Sequence, residues 1–255
     1  MEYQFLSIEI SDGIATVTID RPDVLNGLHP PAHAEMERVW GELGERDDVR
    51  VAILTGRGRA FSAGGDLKDM RARLERDPAG GSGIGGASGR RIVYNLLDFE
   101  KPLIAAVNGP AVGLGATLAL LCDIAIVSDE AVLGDPHITV GLVPGDGGLA
   151  VWTLLAGPNR AKEFMMLGSM VGPDEALRLG LVNHVVPAAE VVPVSRGIAE
   201  RLANGPQAAL RGTKVSINNW IKSQFSSLFE LGLTAELQSM AHPDYAEGVA
   251  AALEK

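Results

Sequence analysis

The stretch from Lys101 to Val127, KPLIAAVNGPAVGLGATLALLCDIAIV, constrains the fold more than any other part of the sequence. Leu103–Val107 is a short apolar run of the kind that forms a buried strand, and the turn sequence NGP ends it. Gly113 and Gly115 then flank Leu114, where a helix-like apolar run begins. Backbone N–H groups at a helix start lack intrahelical partners, and glycines let a ligand approach them. Such a turn can stabilise an anion, although a βα unit with closely packed glycines would look the same.

A second stretch repeats this pattern earlier in the chain. Val51–Thr55 is predicted to be a strand, and it is followed by GRGRAFSAGGDLK, in which two glycines precede another helix start. Two backbone turns of this kind could direct two N–H donors at one oxyanion. The pair of turns favours a functional interpretation over close packing alone.

Five motifs then identify a family resemblance. FSAGGDLK, KPLIAAVNGPAVGLG, CDIAIVSD, GLVPGDGG and PDEALRLGLVNHVVP occur in the order and spacing typical of the crotonase superfamily, the enoyl-CoA hydratase/isomerase group. The resemblance covers nearly the whole chain. It implies an α/β fold with a crotonase-type ββα spiral core over residues 1–187, which carries the active site. It also implies a C-terminal helical trimerisation region over residues 188–255.

Composition limits the class of protein further. The 255 residues are 46% hydrophobic, which is enough for one core and an appended segment, and the single Cys122 excludes an internal disulfide. A net charge of −10 argues against a nucleic-acid partner. The apolar stretch Ala111–Val127 is interrupted by Asp123 and is marginal for the ~20 residues of a membrane span. With no basic, apolar leader at its start, the sequence predicts a cytoplasmic protein that does not enter a membrane.

The spacing of apolar residues predicts a strand and a helix near the start of the chain and further helices near its end. Ile14–Ile19 alternates as a strand does, and the next helix has one apolar face, formed by Ala32, Met36, Val39, Trp40 and Leu43. From about Ala188 the pattern is helical, with a long apolar stripe formed by Phe225, Leu228, Phe229, Leu233, Leu237 and Met240. A stripe of this length needs a partner surface. The resemblance implies another subunit, in a homotrimer or a dimer of trimers, while packing over the chain's own core is the alternative.

Two further segments have patterns that could indicate a functional role. The glycine-rich segment Asp77–Arg91 resembles the mobile loop that edges the acyl pocket in this family, and a flexible linker is the alternative. His29 and His33 have a spacing that two metal ligands could share, but two prolines lie between them and no third ligand is nearby. We expect two partly exposed histidines and no metal.

The resemblance assigns the binding residues. It places the oxyanion hole on the backbone N–H groups of Gly65 and Leu114. It places the acyl-CoA thioester against residues near Val24, Ala63, Asp66, Leu67, Pro110 and Thr117. Coenzyme A enters only as part of the substrate, with no permanently bound cofactor. Candidate partners for its phosphates are Arg21, Arg57, Arg59, Lys68 and Lys101.

The sequence departs from the family at the catalytic glutamates. Hydratases of the family carry two, and the matching positions here hold Thr117 and His137. Hydration needs one group to activate water and another to protonate Cα, so the change makes glutamate-dependent hydration doubtful. Asp146 follows His137 by nine residues, and both are predicted to be catalytic. An imidazole with a reference pKa of about 6.5 is a base near neutrality, and a carboxylate could orient it or act as a base itself.

Three functions therefore stay open at this stage. The first is an acyl-CoA-processing enzyme that stabilises a thioester enolate, as in double-bond isomerisation. The second comes from the resemblance of the His137/Asp146 combination to one branch of the family: a β-diketone hydrolase that breaks a C–C bond by retro-Claisen cleavage with that dyad. The third is a catalytically silent protein that binds coenzyme A or serves as a scaffold. The sequence leaves open which acyl chain is bound.

Overall fold

A computed structural model describes residues 2–77 and 84–254 of the chain, including their side chains except at residues 84–87. In these ranges a six-stranded sheet has the order β1-β2-β3-β4-β6-β9, and a small sheet has the order β5-β7-β8. The strands are β1 (Leu6–Ser11), β2 (Ile14–Ile19), β3 (Val51–Gly56), β4 (Leu103–Val107), β5 (Ala111–Val112), β6 (Ile124–Ser128), β7 (Leu133–Gly134), β8 (Met170–Val171) and β9 (His184–Val186). The strands predicted from periodicity are confirmed.

The helices cover both faces of the large sheet. They are α1 (Pro30–Gly44), α2 (Leu67–Arg76), α3 (Ile84–Asp98), α4 (Leu114–Leu121), α5 (Gly148–Ala156), α6 (Pro158–Leu167), α7 (Pro173–Arg178), α8 (Val191–Ala203), α9 (Gln207–Met240) and α10 (Pro243–Leu253). Short 3₁₀ turns lie at Pro22–Val24, His137–Val140 and Ala188–Glu190. The elements after Ala188 are thus helical, as the sequence predicts.

The central strands are apolar throughout because both of their faces are buried. After the antiparallel β1–β2 pair, β2, β3, β4, β6 and β9 pair in parallel. In β3, Val51 and Ile53 pack towards α8, whereas Ala52 and Leu54 pack in the main core with α1. A parallel sheet covered on both sides produces this run of apolar residues in place of an alternating pattern.

The glycine-rich segment is helical in the part that the structure describes. Residues 78–83 lie outside the described ranges, and α3 begins at Ile84. The alternative of a flexible linker that extends to Arg91 is therefore wrong for residues 84–91. Glycine disfavours a helix by about 1 kcal/mol relative to alanine. Tertiary packing overcomes this cost, because Ile92, Val93 and the leucines that follow are buried in the main core against α1.

The apolar stripe of α9 packs mainly on the chain's own core. Phe225 and Phe229 are each 1% exposed, and α9 contacts α3 and α5. The stripe therefore needs no second subunit to bury it. This corrects the interpretation of the stripe as an interface between subunits. The trimer or dimer of trimers stays a prediction.

The apolar stretch Ala111–Val127 is divided into β5, α4 and β6 rather than forming one long helix. Among the residues that the structure describes, every helix is too short or too polar to cross a membrane.

Candidate active site

Two glycine turns lie side by side at the ends of β3 and β4. Ser62 and Ala111 form an isolated parallel bridge, and the Val112 amide donates to the Ser62 carbonyl at 2.9 Å. Gly64 has φ +79°, and a Cβ there would lie 2.6 Å from the Val112 carbonyl oxygen. Only glycine permits both this backbone conformation and the close approach of the two turns.

The two predicted oxyanion donors follow this bridge at equal distances along the chain. Gly65 and Leu114 come three residues after Ser62 and Ala111, respectively. Leu114 is the first residue of α4, so its N–H has no intrahelical acceptor. Leu28 forms a parallel bridge with Gly65: its N–H donates to the Gly64 carbonyl, and its carbonyl accepts from the Asp66 N–H. The Gly65 N–H between them takes no part in the bridge. Within the described ranges neither amide donates a hydrogen bond, and both residues line one cavity of about 200 Å³.

The small sheet carries His137 to the same place. β5 and β7 pair in parallel, and the Gly113 amide donates to the Gly134 carbonyl at 2.9 Å. The chain then enters the 3₁₀ turn that begins at His137. A Cβ added to Gly113 would lie 3.3 Å from Cε1 of His137. The imidazole therefore lies directly against the second glycine turn.

His137 lies between two carboxylates rather than pairing with one. Its Nδ1 donates a hydrogen bond to Oδ1 of Asp135, and its Nε2 lies 3.6 Å from Oδ2 of Asp146. The predicted pair His137/Asp146 is thus an ion pair without a hydrogen bond, and the residue that orients the ring is Asp135. Sequence reasoning missed Asp135, although it lies only two residues before His137 in the motif GDPH.

The environment of His137 changes its expected chemistry. Burial alone would lower its pKa, but the charges of Asp135 and Asp146 outweigh burial and raise the pKa to about 10. The expectation of a neutral imidazole base near pH 7 is therefore corrected. His137 is an imidazolium at neutral pH.

Two carboxyl groups of the cavity have raised pKa values instead. Burial raises the pKa of Asp146 to about 6 against the opposing effect of His137. Burial and the charge of Asp146 raise the pKa of Glu236 to about 8. Sequence reasoning missed Glu236, yet its position gives a signal: it lies on the apolar face of α9, between Leu233 and Met240 at helical spacing.

His33 also lines the cavity, on the wall formed by α1 and α3. The Ser88 hydroxyl donates to the Glu37 carboxylate, so it must accept the 3.2 Å hydrogen bond from Nδ1–H of His33. Burial and Arg73 lower the pKa of His33 to about 4. His33 is thus a neutral imidazole that is partly exposed, as the sequence predicts, but it belongs to the site. Ser88 comes from the predicted pocket-edging segment.

The other predicted binding residues divide into two groups. Ala63 and Leu67 line an adjoining cavity of about 180 Å³, which shares Gly65 and His137 with the first. The residues that line neither cavity are Val24, Asp66, Pro110 and Thr117.

These four residues have contacts of other kinds. The Asp66 carboxylate caps α2 and pairs with Arg21 at 3.1 Å. The Pro110 carbonyl accepts from the amides of Phe61 and Ser62, and the Val24 carbonyl accepts from that of Gly27. Thr117 is fully buried, with its methyl group against Gly147. Substrate binding by these four residues stays a prediction.

The candidate phosphate partners also divide. Lys101 is 3% exposed, and its Nζ donates to the carbonyls of Leu43 and Arg46 near the end of α1, so it is not available to a phosphate. Arg21 is paired with Asp66, and Arg57 is paired with Asp20. The exposed Arg59 and Lys68 remain candidates.

Asp135, His137 and Asp146 place ligand atoms within 4.8 Å of one another, a spacing that a metal ion could bridge. Nδ1 of the imidazole is already hydrogen-bonded to Asp135, so only Nε2, 3.6 Å from Asp146, is left as a ring ligand. The expectation that no metal binds here stays a prediction.

Two glycine turns beside parallel strands, each presenting a free amide to one cavity, define a member of the crotonase superfamily. The family model for enoyl-CoA hydratase/isomerase matches residues 9–255, and the chain belongs to that family. It is 34% identical to a short-chain-enoyl-CoA hydratase of Clostridium acetobutylicum, over 100% of this chain and 97% of the relative. It is 33% identical to a 1,2-epoxyphenylacetyl-CoA isomerase of Escherichia coli, over 99% of this chain and 96% of the relative.

Solved structures agree with this assignment. The crystal structure of an enoyl-CoA hydratase/isomerase from Mycobacterium paratuberculosis superimposes with a TM-score of 0.88 at 34% identity. The alignment covers 97% of this chain and 98% of that one.

Proposed function

We propose that the protein moves a proton on the acyl group of a coenzyme A thioester through an enolate, as in double-bond isomerisation. The observation that carries the proposal is the pair of free amides at Gly65 and Leu114, which open on the same cavity as Asp146 and His137. The similarity to relatives named as acyl-CoA hydratases and an acyl-CoA isomerase supports a thioester substrate.

Each group has a role in this chemistry. The thioester carbonyl oxygen would accept hydrogen bonds from the two amides, which become stronger as negative charge develops on that oxygen. The Asp146 carboxylate would remove a proton from Cα, and a pKa of about 6 keeps it ionised yet basic at neutral pH. The His137 imidazolium favours the ionised form of Asp146 by its charge. Asp135 holds the imidazole in place.

The same arrangement argues against hydration of the usual kind. The glutamate positions hold Thr117, which is buried and lines neither described cavity, and His137, which is a cation. Neither can act as the carboxylate base that activates water.

Hydrogen–deuterium exchange at Cα tests the proposal directly. A panel of 2-enoyl-, 3-enoyl- and saturated acyl-CoA thioesters is incubated with the protein in D₂O, and label and products are followed by NMR and mass spectrometry. We expect deuterium at Cα and migration of the double bond in a 3-enoyl thioester. Asp146→Asn should lower exchange by about 10²-fold or more, whereas the matched surface change Asp47→Asn should not.

Other outcomes would overturn the proposal in distinct ways. Thioester binding without exchange would indicate a silent binding protein. No thioester binding together with cleavage of a β-diketone would favour the hydrolase. That second candidate is supported by the hydrogen bond between His137 and Asp135, which keeps a cationic donor beside the oxyanion turns.

A further inference from the structure

Glu236 is a carboxyl group inside the protein that none of the described residues satisfies. It lies on α9 and is 6% exposed. Among the described residues its carboxyl oxygens form neither a hydrogen bond nor an ion pair, yet the side chain lines the cavity that contains Gly65 and Leu114. A buried carboxyl group without a partner is costly, so its presence in the wall of this cavity requires an explanation.

The carboxyl group of Glu236 lies against the loop that carries Asp146. A Cβ added to Gly145 would be 2.7 Å from Oε2 of Glu236 and 2.6 Å from its Cβ. Asp146 is the next residue in the chain and lines the same cavity. Glycine at position 145 thus brings helix α9 close to the predicted base.

Burial first, and then the charge of Asp146, raise the pKa of Glu236 and favour its neutral form. Asp146 and Asp135 oppose its ionisation, while His137 and Arg73 favour it. Tyr245 of α10 also faces it. The single positive charge of His137 is already shared by two carboxylates, so another negative charge beside them is unfavourable. Glu236 therefore holds a proton that it can give to a bound molecule.

We propose that Glu236 is the proton donor of the site and that it forms, with the base Asp146, the carboxyl pair missing from positions 117 and 137. This inference rests on the proposed function, because it assigns the second half of the same proton transfer. Two carboxyl groups whose environments separate their protonation states can divide the acid and base roles between them.

Asp146 and Glu236 together complete the proton transfer, with no other reactant. Asp146 removes a proton from Cα of a 3-enoyl thioester. The electron pair of that C–H bond forms a double bond from Cα to the carbonyl carbon, and the carbonyl π electrons move to the oxygen held by the two amides. The enolate then collapses, the double bond shifts to Cα–Cβ, and Cγ takes the proton of Glu236. Asp146 is left protonated and Glu236 ionised, so one proton passing from the first to the second restores the site.

The variant Glu236→Gln separates this role from a structural one. It keeps the size of the side chain and removes the proton that can be donated. With 3-hexenoyl-CoA in D₂O we expect isomerisation to fall by about 10²-fold or more, while exchange at Cα, which needs only Asp146, continues. Binding of the thioester should be unchanged. Glu230→Gln, an exposed change on the same helix, is the matched control and should leave both rates unchanged.

The pH profile gives an independent readout. Isomerisation by the unmodified protein should decline above about pH 8 as Glu236 loses its proton, and this decline should be absent from the residual activity of Glu236→Gln. Glu236→Asp, which restores a carboxyl group, should recover part of the activity. Isomerisation by Glu236→Gln at the full rate, or equal loss of exchange and isomerisation in Glu236→Gln and Glu236→Asp, would overturn the assignment. Absence of exchange in the unmodified protein would instead refute the proposed function.

Discussion

Nε2 of His137 lies 3.6 Å from Oδ2 of Asp146, within ion-pair range and beyond a hydrogen bond. The other ring nitrogen is hydrogen-bonded to Asp135, which fixes the ring in place. His137 thus acts on Asp146 through its charge and not by exchanging a proton with it. The effect of replacing His137 should therefore appear mainly as a shift of the pH dependence.

We predict a bell-shaped pH dependence of kcat/KM for the unmodified protein. The base Asp146 must be ionised, so activity should rise through about pH 6, and the acid Glu236 must be protonated, so activity should fall through about pH 8. The measurement is the isomerisation rate at low thioester concentration between about pH 5 and about pH 9. A rate that keeps rising to about pH 9 would contradict the assignment of Glu236 as the acid.

His137→Gln should move this profile to higher pH. The imidazolium lowers the pKa of Asp146 and of Glu236, so removing its charge raises both and shifts both limbs in the same direction. His184→Gln, which changes an exposed histidine of β9, is the control and should leave the profile in place. A uniform loss of rate without a shift would mean that His137 contacts the substrate instead.

Leu114→Pro should remove one oxyanion donor while leaving α4 able to form. Proline lacks the N–H and is tolerated at the first position of a helix, which Leu114 occupies. Loss of one such donor lowers kcat by about 10²- to 10³-fold in a known enzyme, and we expect a similar loss of Cα exchange. Leu114→Ala keeps the N–H and controls for the lost side chain. Equal losses in the two variants would show that packing, and not the amide, matters.

Phe225→Ala should destabilise the chain whatever its oligomeric state. Phe225 is 1% exposed in the core between α9 and its neighbours, and truncation of a buried phenylalanine costs about 3–5 kcal/mol. Leu231 on the same helix is 68% exposed, and Leu231→Ala should change the free energy of unfolding by less than about 0.5 kcal/mol. Denaturant unfolding measures both. A small cost for Phe225→Ala would show that this part of α9 does not pack as described.

The predicted trimer can be tested on a different surface from the α9 stripe. The exposed apolar side chains near the end of α6, which we call the α6 patch, are Ile138, Met166, Leu167 and Met170. Leu167 is 71% exposed, and Leu167→Glu should reduce the mass in light scattering from a multiple of 26.8 kDa towards 26.8 kDa. Leu177→Glu, at an exposed leucine of α7 outside residues 188–255, is the control. A monomer before any substitution would refute the oligomer.

The predictable part of the fold follows from local pattern. The strands at Ile14–Ile19 and Leu103–Val107 could be recognised because their apolar residues alternate or form short continuous runs. The oxyanion residues Gly65 and Leu114 could be named because glycines beside a helix start leave amides free. The α9 stripe was recognised correctly, but a periodic pattern records that a face is buried without recording what buries it.

The sequence by itself determined the family, the two glycine turns and the positions of His137 and Asp146. Only the tertiary structure decided how these residues act. Glu236 and His33 join the site because α9 and α1 line one cavity, and Asp135 joins it through its hydrogen bond to His137. The spacing of Glu236 and His33 along the chain does not contain that information. The protonation states were likewise beyond the sequence. A pKa depends on burial and on neighbouring charge, and both are set by residues that are far apart in the chain and adjacent only after folding.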